Sequence, residues 1–358
     1  MTLQPSEAPD VAPAKPRGLA RLGKHARRRL VVYPSLLGLL VGGVMYCTCM
    51  PGESHGALEP PTDDEVAAGA GLRRDVEALA GAIGARNLEN RDTLPRAEQH
   101  VRARMRALGY APERQSYDVG IRSVGNLEAT HAGVSKPKEI VVVGAHYDSA
   151  YDAPGADDNA SGVAALLALA EAFATRRTAR TVRFVAFANE EPPRFWTEAM
   201  GSLVYAKACA ARGDDVRAML SLETLGYYRD EPGTQKYPPP MSLLYSDRAN
   251  FVAFVGNTSS RSLTRESVGA FRGAARFPSE GAALPGFIQG VGWSDQWSFW
   301  QVGYPAVMVT DTAPFRNPHY HKRSDTPDTL DYPRLARVVR GLAAVVGRLA
   351  GEGDAPPP

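Results

Sequence analysis

Cysteine is scarce in this chain of 358 residues, which has only Cys47, Cys49 and Cys209. The first two close an apolar run, and the third falls in a predicted helix. So placed, they form neither a zinc-finger spacing nor a disulfide framework. A bound metal must then be held by histidine and carboxylates. Net charge is small as well, +2 from 41 basic and 39 acidic residues. That balance implies no polyanion partner for the chain as a whole, and no nucleic acid. Charge is absent altogether from residues 30–50, LVVYPSLLGLLVGGVMYCTCM.

What is present before that run is the reverse. Between residues 11 and 29 stand Lys15, Arg17, Arg21, Lys24, Arg27, Arg28 and Arg29 with no acid, while the remainder of the chain is net acidic. A run of about 20 uncharged residues has the length of a membrane-spanning helix. Pro34 falls in its first turn, where a missing N–H costs little, and lipid tolerates Gly38, Gly42 and Gly43. Basic residues before the run and Glu53, Glu59, Asp63 and Asp64 after it keep the N-terminus in the cytoplasm. The expectation is a basic cytoplasmic tail (1–29), a single-pass anchor (30–50) and an exported domain, periplasmic or extracellular. A cleaved signal peptide is the rival, but no A-x-A site follows the run. A buried core helix is the plainer alternative, and Arg27–Arg28 is a weak twin-arginine signal.

Residues 51–64, with Pro51, Gly52, Gly56, Pro60 and Pro61, read as a linker or stalk. The domain spans 65–352, with a frayed tail at 353–358. Helical spacing marks VAAGAGLRRDVEALAGAIG and RAEQHVRARMRALGY, the latter stopped at Gly109. VGNLEATHA predicts a strand. Strands at 139–146, 181–189, 216–223 and 304–311 then alternate with helices at 159–174 and 200–213, and a terminal helix covers 335–350. This pattern predicts an α/β fold, a mostly parallel central sheet with helices on both faces. Segments 227–240 and 277–293 are rich in Pro and Gly and predict irregular loops walling a site.

Ligands of open α/β sheets bind at the carboxyl ends of the strands. There the sequence places His146-Tyr147-Asp148, Glu190-Glu191, Glu223 and Asp311, with His319 and His321 following. Asp157 and Asp158 enter the first core helix. Any one of these has an ordinary explanation as a cap or salt-bridge partner. Together, so many carboxylates cannot share a site without a compensating cation. Histidine and carboxylates without cysteine favour zinc. Five protein ligands suit two zinc ions about 3.5–4 Å apart.

The ordered strings HYDSA, GADDNASG, NEE, LSLETLGYY and HYHKRSDTPDTL resemble the di-zinc aminopeptidases, a family with bacterial leucyl aminopeptidases, glutamate carboxypeptidases and, more distantly, glutaminyl cyclases. The resemblance covers residues 65–350. It implies a zinc exopeptidase removing N-terminal amino acids from peptides. His146, Asp158, Glu191, Glu223 and His321 would hold two Zn2+ ions, with Asp158 bridging. Glu190 would be the general base and Asp148 the partner that orients His146. It also implies a cis peptide between Asp158 and Asn159. His321 takes the last ligand position by its place before Ser324-Asp325-Thr326. Extended spacing alone would aim His319 the same way, but His321 is followed closely by Asp325 and Asp328, either of which could orient its ring.

Two departures stand out. The family often has Ser-Asp-His where this chain has Ser294-Asp295-Gln296, outside the ligand set. PPRFWTEAM follows NEE and suggests an altered wall with Phe195 and Trp196 as lining. The competing functions are glutaminyl cyclisation and a catalytically inactive, receptor-like binding domain. The latter typically loses ligands, and none is lost here.

Overall fold

The computed structural model describes residues 24–354 except 57, 91 and 240. The expectations for residues 1–23 and for the last four residues of the C-terminal tail fall outside that range. The chain divides into two units, 1–46 and 47–358. In the first, α1 (Lys24–Thr48) contains a 21-residue stretch from Arg28 of mean hydropathy 1.9, none of it buried. It is long and apolar enough to cross a membrane.

The second unit opens with α2 (Asp63–Val76), started by a reciprocal cap in which Glu65 N–H donates to Thr62 Oγ1 and Thr62 N–H donates to Glu65 Oε2. Next come α3 (Thr93–Ala107), β1 (Glu113–Val119), β2 (Arg122–His131), β3 (Lys136–His146) and α4 (Gly162–Phe173). They lead to β4 (Arg180–Phe187), α5 (Gly201–Arg212), β5 (Asp215–Glu223), β6 (Val252–Asn257) and α6 (Arg261–Ala274). The chain ends with β7 (Ser279–Leu284), α7 (Gln296–Gln301), β8 (Ala306–Thr310), α8 (Ala313–Arg316) and α9 (Tyr332–Ala350).

One eight-stranded sheet has the order β1-β2-β4-β3-β5-β8-β6-β7. Its centre, β4-β3-β5-β8, is parallel as the sequence predicts. The flanks are not. β2 runs antiparallel to β1 and β4, and β6 is antiparallel to β8 while pairing β7 in parallel. The sheet is therefore mixed. The strand β7 lies inside the segment expected to be irregular. Its SEGAAL sequence has little intrinsic strand preference. Pairing with β6 holds it, and there is no room for a side chain at Gly281, where an added Cβ would meet Val268 of α6.

Strand alternation sorts the core. Val141 and Val143 of β3 join the layer holding Leu166, Phe173, Phe271, Leu342 and Val346, on the side of α4, α6 and α9. Ile140 and Val142 face the other way, with Phe187, Tyr205 of α5 and Phe299 of α7. Continuing that period of two, His146 and Glu223 point to the α5/α7 side at the carboxyl ends of β3 and β5.

The described residues of 51–62 have no regular helix or strand, as a linker would, yet they are tied down. Arg272 donates to the carbonyls of Pro51 and Gly52, and Arg337 to those of Glu59 and Pro60. Ser279 N–H donates to Ser54 Oγ. The segment is a strap on its own domain, and proline and glycine here mark irregularity without freedom.

Candidate metal centre

The turn Ala156–Ser161 between β3 and α4 aims Asp158. Its Asp158–Asn159 peptide is cis. Asn159 fixes it to β5: Nδ2 donates to Leu222 O at 2.8 Å, and Oδ1 accepts from Gly162 N and Thr224 N, both 3.1 Å. Position 162 must be glycine, because a Cβ would lie 2.2 Å from Asn159 Oδ1. Asp325 holds the same turn from outside, accepting from Asp157 N (2.9 Å) and Asp158 N (3.2 Å).

The two oxygens of Asp158 serve two sets of residues. Oδ1 lies 3.3 Å from His146 Nε2, which is 3.2 Å from Glu223 Oε2. Oδ2 lies 3.0 Å from His321 Nε2, which is 3.2 Å from Glu191 Oε2. Three groups are each compact enough for one ion: His146/Asp158/Glu223 and Asp158/Glu191/His321, which share Asp158, and His146/Glu190/Glu191. Both Asp158 oxygens, Glu191 Oε1, both His146 nitrogens and His321 Nε2 are buried without a hydrogen-bond partner. Buried polar atoms are nearly always paired, so a cluster of orphans of this ligand chemistry fits divalent cations.

The electrostatics agree. Burial disfavours a charged His146, but the carboxylates of Glu223, Glu190, Asp148 and Asp158 raise its pKa well above the usual value. Burial and the Asp158 charge push Glu191 up to about 8, with His321 opposing. Burial also lifts Glu190 well above the carboxylate range; Glu223, Glu191 and Asp295 add to this, and His146 opposes it. Protons alone settle this much buried negative charge poorly.

Asp148 lies among these residues. Its Oδ1 is 3.4 Å from His146 Nδ1 and accepts from Glu190 N, while Oδ2 accepts from Glu191 N, both at 3.1 Å. One carboxylate thus braces the backbone of the paired glutamates and stands beside the imidazole. The Glu190 side chain borders the cavity beside Asp158, Glu191, Glu223 and His321.

A family model described as peptidase family M28 matches residues 126–346. The chain belongs to peptidase family M28. Across 284 residues it is 37% identical to the uncharacterized protein YfbL of Escherichia coli K12, covering 77% of this chain and 86% of that one. A probable zinc metalloprotease of Pyricularia oryzae is 31% identical over 270 residues, 65% of this chain and 51% of the relative. The chain thus spans about half the length of that fungal relative. Among solved structures, LapB from Legionella pneumophila superposes with TM-score 0.64 at 20% identity, covering 84% and 78% of the two chains. The zinc aminopeptidase BSAP from Bacillus subtilis gives 0.61 at 13%, covering 78% and 94%. The glutaminyl cyclase of Fimbriiglobus ruber gives 0.59 at 20%, covering 83% and 99%. These three likenesses carry the fold.

In this M28 domain the structure brings His146, Asp148, Asp158, Glu190, Glu191, Glu223 and His321 together. It leaves others aside. His319 sits at Ser324, with Nδ1 2.9 Å from Oγ, and against the Tyr227 ring. The segment turns instead of extending, with His321 at φ +57°, so residues two apart diverge. Asp325 braces the Asp158 turn and Asp328 is exposed, so the His321 ring is flanked by Tyr320 and Tyr151 instead. Asp157 and Asp311 accept from the backbone of the loop after β5, at Gly226 and Tyr227. Phe195 lines the metal cavity, but Trp196 is stacked outside it and donates to Gly292 O. Gln296 donates to Val291 O and joins no ligand set.

Two residues escaped sequence reasoning. Tyr320 borders the metal cavity and stacks on His321 with centroids 3.9 Å apart; its place in HYH was the available signal. Arg86 is fully buried, donating to Tyr147 O and Gly155 O and so clamping the two ligand-bearing loops together. Burial lowers its pKa to about 10 against the pull of Asp148, Asp325, Asp158 and Glu191. No local pattern marks it.

Proposed function

We propose that this M28 protein is a zinc exopeptidase that removes N-terminal amino acids from peptides, with two zinc ions. His146, Asp158 and Glu223 hold one, and Asp158, Glu191 and His321 the other. The observation that carries this reading is Asp158, whose two oxygens face different histidines at 3.3 and 3.0 Å. When bound, zinc supplies a water of lowered pKa and polarises the scissile carbonyl. Glu190 takes the water's proton and returns it to the leaving amine. It suits that role because no hydrogen bond of its own ties its carboxylate among the described residues, and because it borders the cavity. Asp148 keeps Glu190 in place through the backbone. Ser294 Oγ donates to Glu223 Oε2 at 2.6 Å, leaving the other Glu223 oxygen for the substrate's α-amine.

Elemental analysis and a screen of aminoacyl-p-nitroanilides, with and without chelator, test this. The expected result is two zinc ions per chain and hydrolysis that chelation abolishes and zinc restores. Cyclisation of an N-terminal glutamine peptide without release of free amino acid would replace hydrolysis by the cyclase reading. A folded chain that takes up no zinc would point to a binding domain.

For the N-terminal unit, we propose a single-pass anchor with the catalytic domain periplasmic or extracellular. Its support is the uncharged run behind seven basic residues. A reporter fused after residue 64 and active only in the cytoplasm would refute it.

A further inference from the structure

A second, partly open cavity adjoins the metal cluster and shares Glu223, Trp293 and Tyr320 with it. The sheet is its floor. In register, Glu223 of β5 pairs with Thr310 of β8, Thr310 with Ala253 of β6, and Ala253 with Glu280 of β7. Directly paired residues project from the same face. Two carboxylates therefore stand on one face of the sheet, three strand spacings or about 14 Å apart at their backbones. Only the short side chains of Thr310 and Ala253 lie between them. The next row, Met308, Val255 and Ala282, is apolar and lines the same cavity.

Glu280 is out of character with this floor. Burial pushes its carboxyl up, and Arg272 opposes that at a distance. Arg272 is committed elsewhere, to Ser279 Oγ and O and to the carbonyls of Pro51 and Gly52. Among the described residues the Glu280 carboxylate has neither a hydrogen bond nor an ion pair. Tyr237 and Tyr245 line this cavity, and the Glu280 charge adds to burial in raising both phenols. An acid facing an apolar, ring-walled cavity lacks a cation, and aromatic faces attract one too.

We infer that this pocket receives the side chain of the substrate's N-terminal residue and that Glu280 selects lysine or arginine there. The inference rests on the exopeptidase reading, which places the α-amine at Glu223. An extended lysine or arginine, with a hydrogen bond at each end, spans the row from Glu223 to Glu280. Its aliphatic stem lies over Thr310 and Ala253, and its cation meets Glu280.

The test uses zinc-loaded protein and Glu280→Gln, which preserves size. Wild type should hydrolyse lysyl- and arginyl-p-nitroanilide with higher kcat/KM than the leucyl compound. Glu280→Gln should lower the first two by about 10- to 100-fold and leave the leucyl rate and zinc content within about twofold. Calorimetry with free L-arginine against L-citrulline, its neutral near-isostere, reads the pocket without turnover. Wild type should favour arginine by at least about tenfold, and Glu280→Gln should erase that ratio. If no aminoacyl substrate turns over but arginine is still preferred, the hydrolytic reading fails and the pocket assignment stands. Equal binding of arginine and citrulline by wild type, or equal losses for leucyl and lysyl substrates in the variant, would overturn the selection by Glu280.

Discussion

The metal cluster and the pocket beside it share a wall, yet they are built by opposite means. In the cluster most positions are braced by a polar neighbour, and His321 is flanked by the Tyr320 and Tyr151 rings. Asp148 braces both glutamates and stands beside His146, Asp325 and Asn159 hold Asp158, and Ser294 holds Glu223. In the pocket Glu280, a half-buried acid, is placed by strand register. A site for chemistry needs fixed geometry around developing charge. A side-chain pocket needs volume, mostly apolar walls and a few polar groups. The two regions should therefore separate under mutation: changes in the cluster strike turnover or zinc, and changes in the pocket strike side-chain preference.

The largest effect is expected at the proposed base. Glu190→Gln should lower kcat by about 10²–10⁴-fold with zinc content unchanged, because Glu190 belongs to neither Asp158-sharing triad. Loss of zinc in parallel with activity would move Glu190 into the ligand set and break the division of labour with Glu191.

Next is the last ligand. His321→Ala should lose about one zinc per chain and most activity, while His319→Ala keeps both ions. The distances favour this outcome, since His321 Nε2 stands 3.0 Å from Asp158 while His319 is turned to Ser324. Zinc lost from the His319 variant instead would show that the loop rearranges on metal binding.

On the pocket side, Ala282→Leu narrows the floor without touching any ligand. KM for lysyl and arginyl substrates should rise by about tenfold with little change in kcat, the signature of lost uniform binding. Zinc content should stay the same. A fall in kcat of equal size would mean that the pocket positions the scissile bond as well as the side chain.

The same contrast explains what the sequence disclosed. The proposed ligands stand out in the sequence because metal chemistry restricts residue types and the fold puts them at strand ends in fixed order. His146, Glu190-Glu191 and Glu223 each close a run of apolar residues. The central parallel strands were legible for the same reason, as continuous apolar segments. The far edge was not. β7, SEGAAL, has no β-branched or aromatic residue and is defined by its partner β6 and by α6 above it, which are long-range facts. Glu280 becomes meaningful only when four strands are aligned, and Arg86 only when two distant loops are seen converging on one guanidinium. Trp196 shows the converse error, an aromatic beside the catalytic pair that folds away from it.

The smallest effect lies in neither region and serves as their control. Asp75 of α2 is nearly buried, with Oδ1 2.8 Å from Arg104 Nε and 3.2 Å from His100 Nε2. Burial raises its carboxyl, but His100 and Arg104 outweigh that and leave it below the usual value. A carboxylate whose folded pKa is depressed stabilises the fold fully above its unfolded pKa of about 3.9 and loses that contribution as pH falls through the folded value. Asp75→Asn should therefore cost about 1–2 kcal/mol above pH 5, a fall of a few degrees in the unfolding midpoint. The gap to wild type should shrink as the pH is lowered towards 2. Zinc content and the preference among aminoacyl substrates should not move at neutral pH, because the α2–α3 pair touches neither cavity. A gap that widened on acidification would reverse the assigned direction of the Asp75 shift. A change in zinc content would mean that the helical layer behind the sheet supports the ligand loops, and the cluster could then no longer be treated as self-positioned.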